Sequence, residues 1–275
     1  MKQNIKSLSS EIFPCKILLF GEYTILDKGA ALGIPYYKYT ARWEIIHKYP
    51  FKSLLFDLLQ WCKSKNISLD YESAYQDLEN NWGIHSNIPF GYGLGSSGAI
   101  TVAIYKRYSV SSSPNPLDLK NTLSVIESYF QGSSSGIDPL IIHSDKPLYF
   151  TDSTISTVTI DDSFLDMISL YDSGIKRNGK EVIRKFKSMA SSNPDFSIDL
   201  QYLASLNSQA INSILSNERS SFETVLREIS TIQRSLFASI IPEKVKNYWD
   251  SISDTNRIMK FCGAGGGGFF LEFTI

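Results

Sequence analysis

The apolar positions along this chain change period several times, and each change marks an element. Residues 16–20, "KILLF", are a short unbroken apolar run of the kind a buried strand shows. "GEYTILDKGAALGIP" then turns through Gly21 and Gly29 before a second extended stretch, "YTARWEII". In "SLLFDLLQWCKSKN", Leu54, Leu55, Leu58, Leu59 and Cys62 fall on one helical face, and "WGIHSNI" extends the chain again. Residues 88–108, "IPFGYGLGSSGAITVAIYKRY", then pass through four glycines and two adjacent serines into an amphipathic helix beginning near Ser97.

After a Ser/Pro-rich break, "SVSSSPNP", Asn115 is placed as N-cap and Pro116 as first helical residue of a second helix. Its apolar stripe is Leu119, Leu123, Ile126 and Phe130. "QGSSSGIDP" makes a turn, and the apolar runs "LIIHSDKPLYF" and "TISTVTI" predict more sheet near residue 150. A domain boundary is expected there, giving domains 1–152 and 153–275. The second half reads as a strand, "FLDMISLYD", then three helices, then two strands around "CGAGGGG". The later two helices carry Leu203, Ala210 and Ile214, and Phe222, Val225, Ile229 and Ile232. The class is mixed α and β, with no repeat or heptad array.

Composition narrows the function. A chain of 275 residues, 43% hydrophobic, can bury a large core. Its net charge of −1 offers no global field for nucleic acid or an anionic membrane, so a small-molecule substrate is the expected partner. Cys15, Cys62 and Cys262 are too few and too widely spaced for a disulfide framework and read as reduced thiols. His47, His85 and His143 are scattered, without the spacing of a zinc site. The N-terminal apolar stretch is broken by Pro14 and Lys16, a poor signal peptide, and no run approaches the roughly 18 residues of a membrane span. A cytoplasmic protein is expected, with a homodimer left open.

Chemistry concentrates in "GYGLGSSG". Gly91, Gly93 and Gly95 lack Cβ atoms, so the backbone can take positive φ and let several N–H groups converge, while the helix start adds partial positive charge. Such a loop can cradle phosphate. It is not a Walker loop, because Ser97 and Gly98 stand where GxxxxGK[ST] continues, and the dinucleotide GxGxxG fails at Ser96. In isolation, three glycines read at least as well as a ligand-free turn.

The flanks decide between these readings. Pro89 before the loop and the serine pair after it resemble the PxxxGLGSS signature of the GHMP kinases, the small-molecule kinases named for galactose, homoserine, mevalonate and phosphomevalonate. "KILLFGEYTIL" resembles the first motif of that family and "FCGAGGGGFF" its third, in the same order and spanning residues 16 to 270. "ESYFQGSSSGID" is similar to the segment of mevalonate kinases that ends in an aspartate, which places mevalonate first among substrates.

The resemblance implies an α+β, two-domain GHMP kinase fold, the first domain like one of a ribosomal protein and the second ferredoxin-like. It implies ATP phosphates at Gly91, Gly93, Leu94, Gly95, Ser96, Ser97 and Gly98, and near Gly265, Gly266 and Gly267. Mg²⁺ would fall to Ser97 and Glu127, the proton-accepting carboxylate to Asp138, its partner to Lys16, and the substrate pocket to Glu22, Tyr23 and Gly136. These residue types suit the chemistry. Mg²⁺ takes hard oxygens, commonly one or two from protein beside the nucleotide's own. Phosphoryl transfer to an alcohol needs positioning, charge neutralisation and a proton acceptor.

Away from the motifs, Lys16 reads as a strand-end lysine, Glu22 as a turn carboxylate, and Lys176 with Arg177 as an exposed turn pair that can also meet a substrate carboxylate. Several positions depart from the family pattern. Tyr23 stands where mevalonate kinases usually have histidine, as in phosphomevalonate kinases; Ser134 replaces a proline; and Gly179 falls where a threonine is expected. Phosphomevalonate kinase, diphosphomevalonate decarboxylase and a non-catalytic nucleotide binder therefore remain alternatives.

Overall fold

Unbroken burial from Phe13 to Phe20 makes the first strand, β1 (Ile12–Phe20), a core strand two residues into the part of the chain that the computed structural model describes. Residues 11–27, 29–48, 50–110, 115–192 and 194–275 are described, without the side chains of residues 26, 27, 180 and 183. Most of the signal-peptide reading and the centre of the Ser/Pro-rich break lie outside them. The chain divides into two compact units. One holds Pro35–Pro89, Gly95–Lys146 and the chain up to Lys16; the other holds Ile17–Ile34, Phe90–Leu94 and Pro147–Ile275.

In the first unit the outer half of β2 (Ala31–Ile45) pairs antiparallel with β3 (Trp82–Ser86), Trp43 opposite Ile84. Two helices separate those strands: α1 (Lys52–Ser64), burying Leu55, Leu58, Leu59 and Cys62, and α2 (Tyr71–Glu79). After the glycine loop, α3 (Ser96–Tyr108) is buried without a break from Ser97 to Tyr105. It is central rather than amphipathic, as a helix apolar on all sides must be. Trp43 anchors it, donating its indole N–H to the Ala103 carbonyl at 3.0 Å.

The next helix, α4 (Pro116–Gln131), starts as its sequence predicts: the Asn115 side chain accepts from the Leu117 N–H at 2.9 Å and Pro116 leads the first turn. "LIIHS" departs from its expected strand and forms α5 (Ile137–Ser144). A fully buried apolar run carries no period to tell strand from helix. Here Gly136, at φ 73°, caps a helix.

In the second unit the inner half of β2 pairs with β4 (Leu148–Phe150), which pairs with β5 (Ile155–Thr157), so the five-stranded sheet runs β1-β2-β4-β5 with β3 on β2. A short helix, α6 (Asp162–Leu165), takes the first part of the expected strand, leaving β6 (Ile168–Asp172). Among the described residues four helices follow, one more than expected: α7 (Gly179–Ser192), α8 (Phe196–Leu215), α9 (Arg219–Leu236) and α10 (Glu243–Ser251). The inner face of α9 is Phe222, Leu226, Ile229 and Gln233, displaced by about one residue from the expected stripe. The closing strands, β7 (Arg257–Phe261) and β8 (Phe269–Thr274), join β6 in an antiparallel sheet of order β6-β8-β7. Cys15, Cys62 and Cys262 are buried thiols, Cys15 donating to the Tyr36 carbonyl at 3.0 Å. Among the described residues no helix is long and apolar enough to cross a membrane.

Candidate active site

The glycine loop takes the conformation its composition allows. Gly91, Gly93 and Gly95 adopt φ of 81°, 85° and 77°, in the left-handed region, and Gly95 is the N-cap of α3. Close approach imposes a second constraint at Gly95, where a Cβ would stand 2.9 Å from Lys16 Cγ. At Gly98 a Cβ would stand 3.2 Å from the Pro139 nitrogen. The start of α3 is thereby seated against both Lys16 and the first turn of α5, which carries Asp138.

Lys16 is 3% exposed, and a buried ammonium must be paired. Its Nζ lies 3.1 Å from Asp138 Oδ2, whose side chain keeps about a third of its surface open to solvent. The pair thus has one buried member and one accessible carboxylate. Gly136 makes the turn possible, because a Cβ there would stand 2.4 Å from the Lys120 carbonyl oxygen.

Beside this pair, Ser97 Oγ donates to Glu127 Oε1 at 2.8 Å. Ser134, at the departure from the family's proline, donates to Glu127 Oε2 at 2.5 Å and accepts the Gly136 N–H at 2.9 Å. In the sequence that position reads only as the replacement of a proline. Burial pushes the Glu127 carboxyl up to about 7, the Asp138 charge adds to the rise, and the two hydroxyls and Lys16 offset only part of it. No lysine or arginine forms an ion pair with Glu127 among the described residues. A hard divalent cation fits: a hydroxyl and a carboxylate stand together, and the buried acid lacks a positive partner of its own. No cluster of three His, Cys, Asp or Glu suited to a metal occurs among the described residues, so any cation here relies on few protein ligands.

A stability test follows for the metal-free protein. The folded value of Glu127 lies above the ordinary 4.5, so the native state keeps a proton that the unfolded chain releases. Its contribution to stability therefore falls as pH rises from about 4.5 to about 7, then stays level. Glu127→Gln is expected to gain on wild type as pH rises, its Tm advantage being larger near pH 8 than near pH 5 by several degrees. An advantage independent of pH would refute the assignment.

Of the residues expected at the substrate, Gly136 lies in the first unit, whereas Glu22, Tyr23 and the second phosphate loop lie in the other. Glu22 is fully buried with its Oε1 2.6 Å from Lys260 Nζ, which also donates to the Phe261 carbonyl at 2.7 Å. Tyr23, at φ 63°, stacks on Phe186 and Phe237 at 4.5 and 4.9 Å between ring centroids and donates to the Ala264 carbonyl at 2.5 Å. Burial raises its phenol well above the usual value. Both residues hold the segment that opens the glycine run.

Gly265, Gly266, Gly267 and Gly268 all take positive φ. A Cβ at Gly266 would stand 2.2 Å from Val182 Cγ2, and one at Gly268 2.5 Å from the Tyr92 carbonyl oxygen. The Phe269 N–H donates to that same Tyr92 carbonyl at 3.2 Å, so the run lies against Phe90–Leu94 within this unit. Leu94 is buried in the same unit. Arg177, read from sequence as half of an exposed turn pair, is only partly exposed, and its guanidinium lies 3.7 and 3.8 Å from where Cβ atoms of Gly93 and Gly263 would be.

Residues 65–144 match the family model described as the GHMP kinases N terminal domain. That match covers 80 of the 275 residues and makes this part of the chain similar to the N-terminal domain of GHMP kinases. Solved structures of kinases share this chain's fold at low identity. Mevalonate kinase from methicillin-resistant Staphylococcus aureus is 19% identical, with 96% of this chain and 88% of that chain covered and a TM-score of 0.61. Streptococcus pneumoniae phosphomevalonate kinase, in complex with phosphomevalonate and AMPPNP, gives 15%, 96%, 91% and 0.68 in the same order. Lactococcus lactis galactokinase complexed with galactose gives 12%, 97%, 86% and 0.67. No curated protein matches the sequence.

Proposed function

We propose that this chain is a GHMP kinase that transfers the terminal phosphoryl group of ATP to the hydroxyl of a small molecule, mevalonate first among the candidates. The observation that carries the reading is the Lys16–Asp138 pair at 3.1 Å, seated against the N-terminus of α3 beside the Ser97–Glu127 contact at 2.8 Å. A helix start with bare backbone amides suits phosphate, and an accessible carboxylate beside it suits an alcohol's proton.

In this reading the amides from Gly93 to Ser97 hold nucleotide phosphates, and Gly265 to Gly267 form a second phosphate-binding loop. Ser97 and Glu127 hold Mg²⁺, whose contribution is neutralisation of phosphate charge. Asp138 orients the acceptor hydroxyl and takes its proton. Lys16 orients the Asp138 carboxylate and faces the charge that develops during transfer. Gly136 shapes the turn that carries Asp138, and the resemblance assigns Glu22 and Tyr23 to substrate binding. The domain division at 152/153, with a ribosomal-protein-like first domain and a ferredoxin-like second, belongs to the same reading, as does a cytoplasmic location.

A panel assay tests it. With Mg·ATP and mevalonate, phosphomevalonate, diphosphomevalonate, homoserine or galactose in turn, ADP is expected with mevalonate and no CO₂ with any of them. Turnover of phosphomevalonate alone would transfer the assignment to phosphomevalonate kinase, the reading favoured by Tyr23 and by the cationic Arg177 beside Gly93. CO₂ release would make the chain a decarboxylase, and nucleotide binding without turnover of any alcohol would leave a binding protein.

A further inference from the structure

The second unit contains a cavity of about 470 Å³ that none of the motifs touches, walled by α9, α10 and the first half of β7. Its volume lies in the roughly 300–1,000 Å³ range of small-molecule sites. Trp249, Ile252, Ile258 and Met259 give it an apolar wall. Arg227, Arg234 and Arg257 stand around it, with Asp250 the only carboxylate among the described residues of the lining.

Those charges are not equivalent. Arg234 makes a two-pronged contact with Asp250 at 2.8 and 2.6 Å, and Arg257 is held by Glu272 at 3.0 and 2.5 Å. Arg227 reaches only the Thr255 carbonyl, at 3.3 Å, and forms no ion pair among the described residues. Counting three arginines against Asp250 and Glu272, the site keeps one positive charge, and it sits on Arg227.

The walls are cross-linked, which distinguishes the space from a loose gap. Trp249 Nε1 donates to Ser230 Oγ at 2.9 Å, tying α10 to α9. The Phe261 N–H donates to Gln233 Oε1 at 2.9 Å, tying β7 to α9. A site whose walls need no reordering loses less entropy on binding.

We propose that this cavity is a second small-molecule site, separate from the phosphoryl-transfer residues, for a ligand with an apolar body and a single anionic head. The body lies along Trp249 and Ile258 and the head meets Arg227. Phosphate and carboxylate heads share this chemistry.

The test uses the full-length protein and naphthyl phosphate as probe, reading the indole N–H resonance of Trp249, assigned by its loss in Trp249→Phe. A saturable shift is expected, unchanged by saturating Mg·ATP, at least tenfold weaker in Arg227→Ala and absent in Thr231→Trp, which fills the cavity. Both substituted positions are exposed, and unchanged thermal midpoints would verify that the variants fold. No shift in wild type, loss of the shift with Mg·ATP, indifference to both substitutions, or equally tight binding of uncharged naphthol would each overturn the proposal.

Discussion

Asp138→Asn is expected to lower kcat with the accepted alcohol by roughly 10²- to 10⁴-fold, the range a positioned general base supplies, while leaving Mg·AMPPNP affinity within about threefold. The substitution keeps the side chain's volume and its place in the first turn of α5. It removes the carboxylate's basicity and the anion that Lys16 Nζ meets at 3.1 Å. Asparagine's carbonyl can still accept from that ammonium, so folding loses less than it would with alanine. The amides of Gly95 to Ser97, which hold phosphate in the proposed reading, are untouched. Turnover within threefold of wild type would take the proton-accepting role away from Asp138. A matching loss of nucleotide affinity would instead make it a structural residue of the loop.

Much of this site could be read in the sequence because its parts are local. The positive φ of Gly91, Gly93 and Gly95 follows from residue type, and the Asn115–Pro116 start of α4 from capping chemistry. What stayed hidden depends on distant partners or on runs without period. The segment Ile137–Ser144 is apolar and β-branched enough to read as a strand, and only the αL conformation at Gly136 makes it a helix. The short α10 is mostly polar between its buried Val245 and Trp249, too few positions for a stripe. Ser134 looked like the loss of a proline, yet its hydroxyl completes the environment of Glu127 seven residues earlier. Arg177 looked like a surface charge because nothing local announces that Gly93 and Gly263 approach it.

The pairing of Glu22 with Lys260, 238 residues apart, is the extreme case, and it carries the second large effect. Lys260→Met is expected to destabilise the protein by about 3–5 kcal/mol near neutral pH, the cost of stranding one member of a buried ion pair. Both side chains are fully buried, and Lys260 Nζ also lies 5.0 Å from the centre of the Phe20 ring. Burial already raises the Glu22 carboxyl, with Lys260 as the main opposing influence. Methionine matches the lysine's length but leaves that carboxylate in an apolar interior. Glu22 then folds best protonated, so its folded value rises further above its unfolded one. The penalty is small below the unfolded value, near pH 4 to 5, and grows as pH increases. Glu22→Gln combined with Lys260→Met removes the stranded charge and should recover much of the loss, with little dependence on pH. Urea unfolding of wild type, single and double variants near pH 5 and near pH 8 checks both statements. If the double variant is no more stable than Lys260→Met at either pH, the pair contributes packing alone, and the turn from Gly21 to Tyr23 holds the glycine run through the Tyr23 contacts instead.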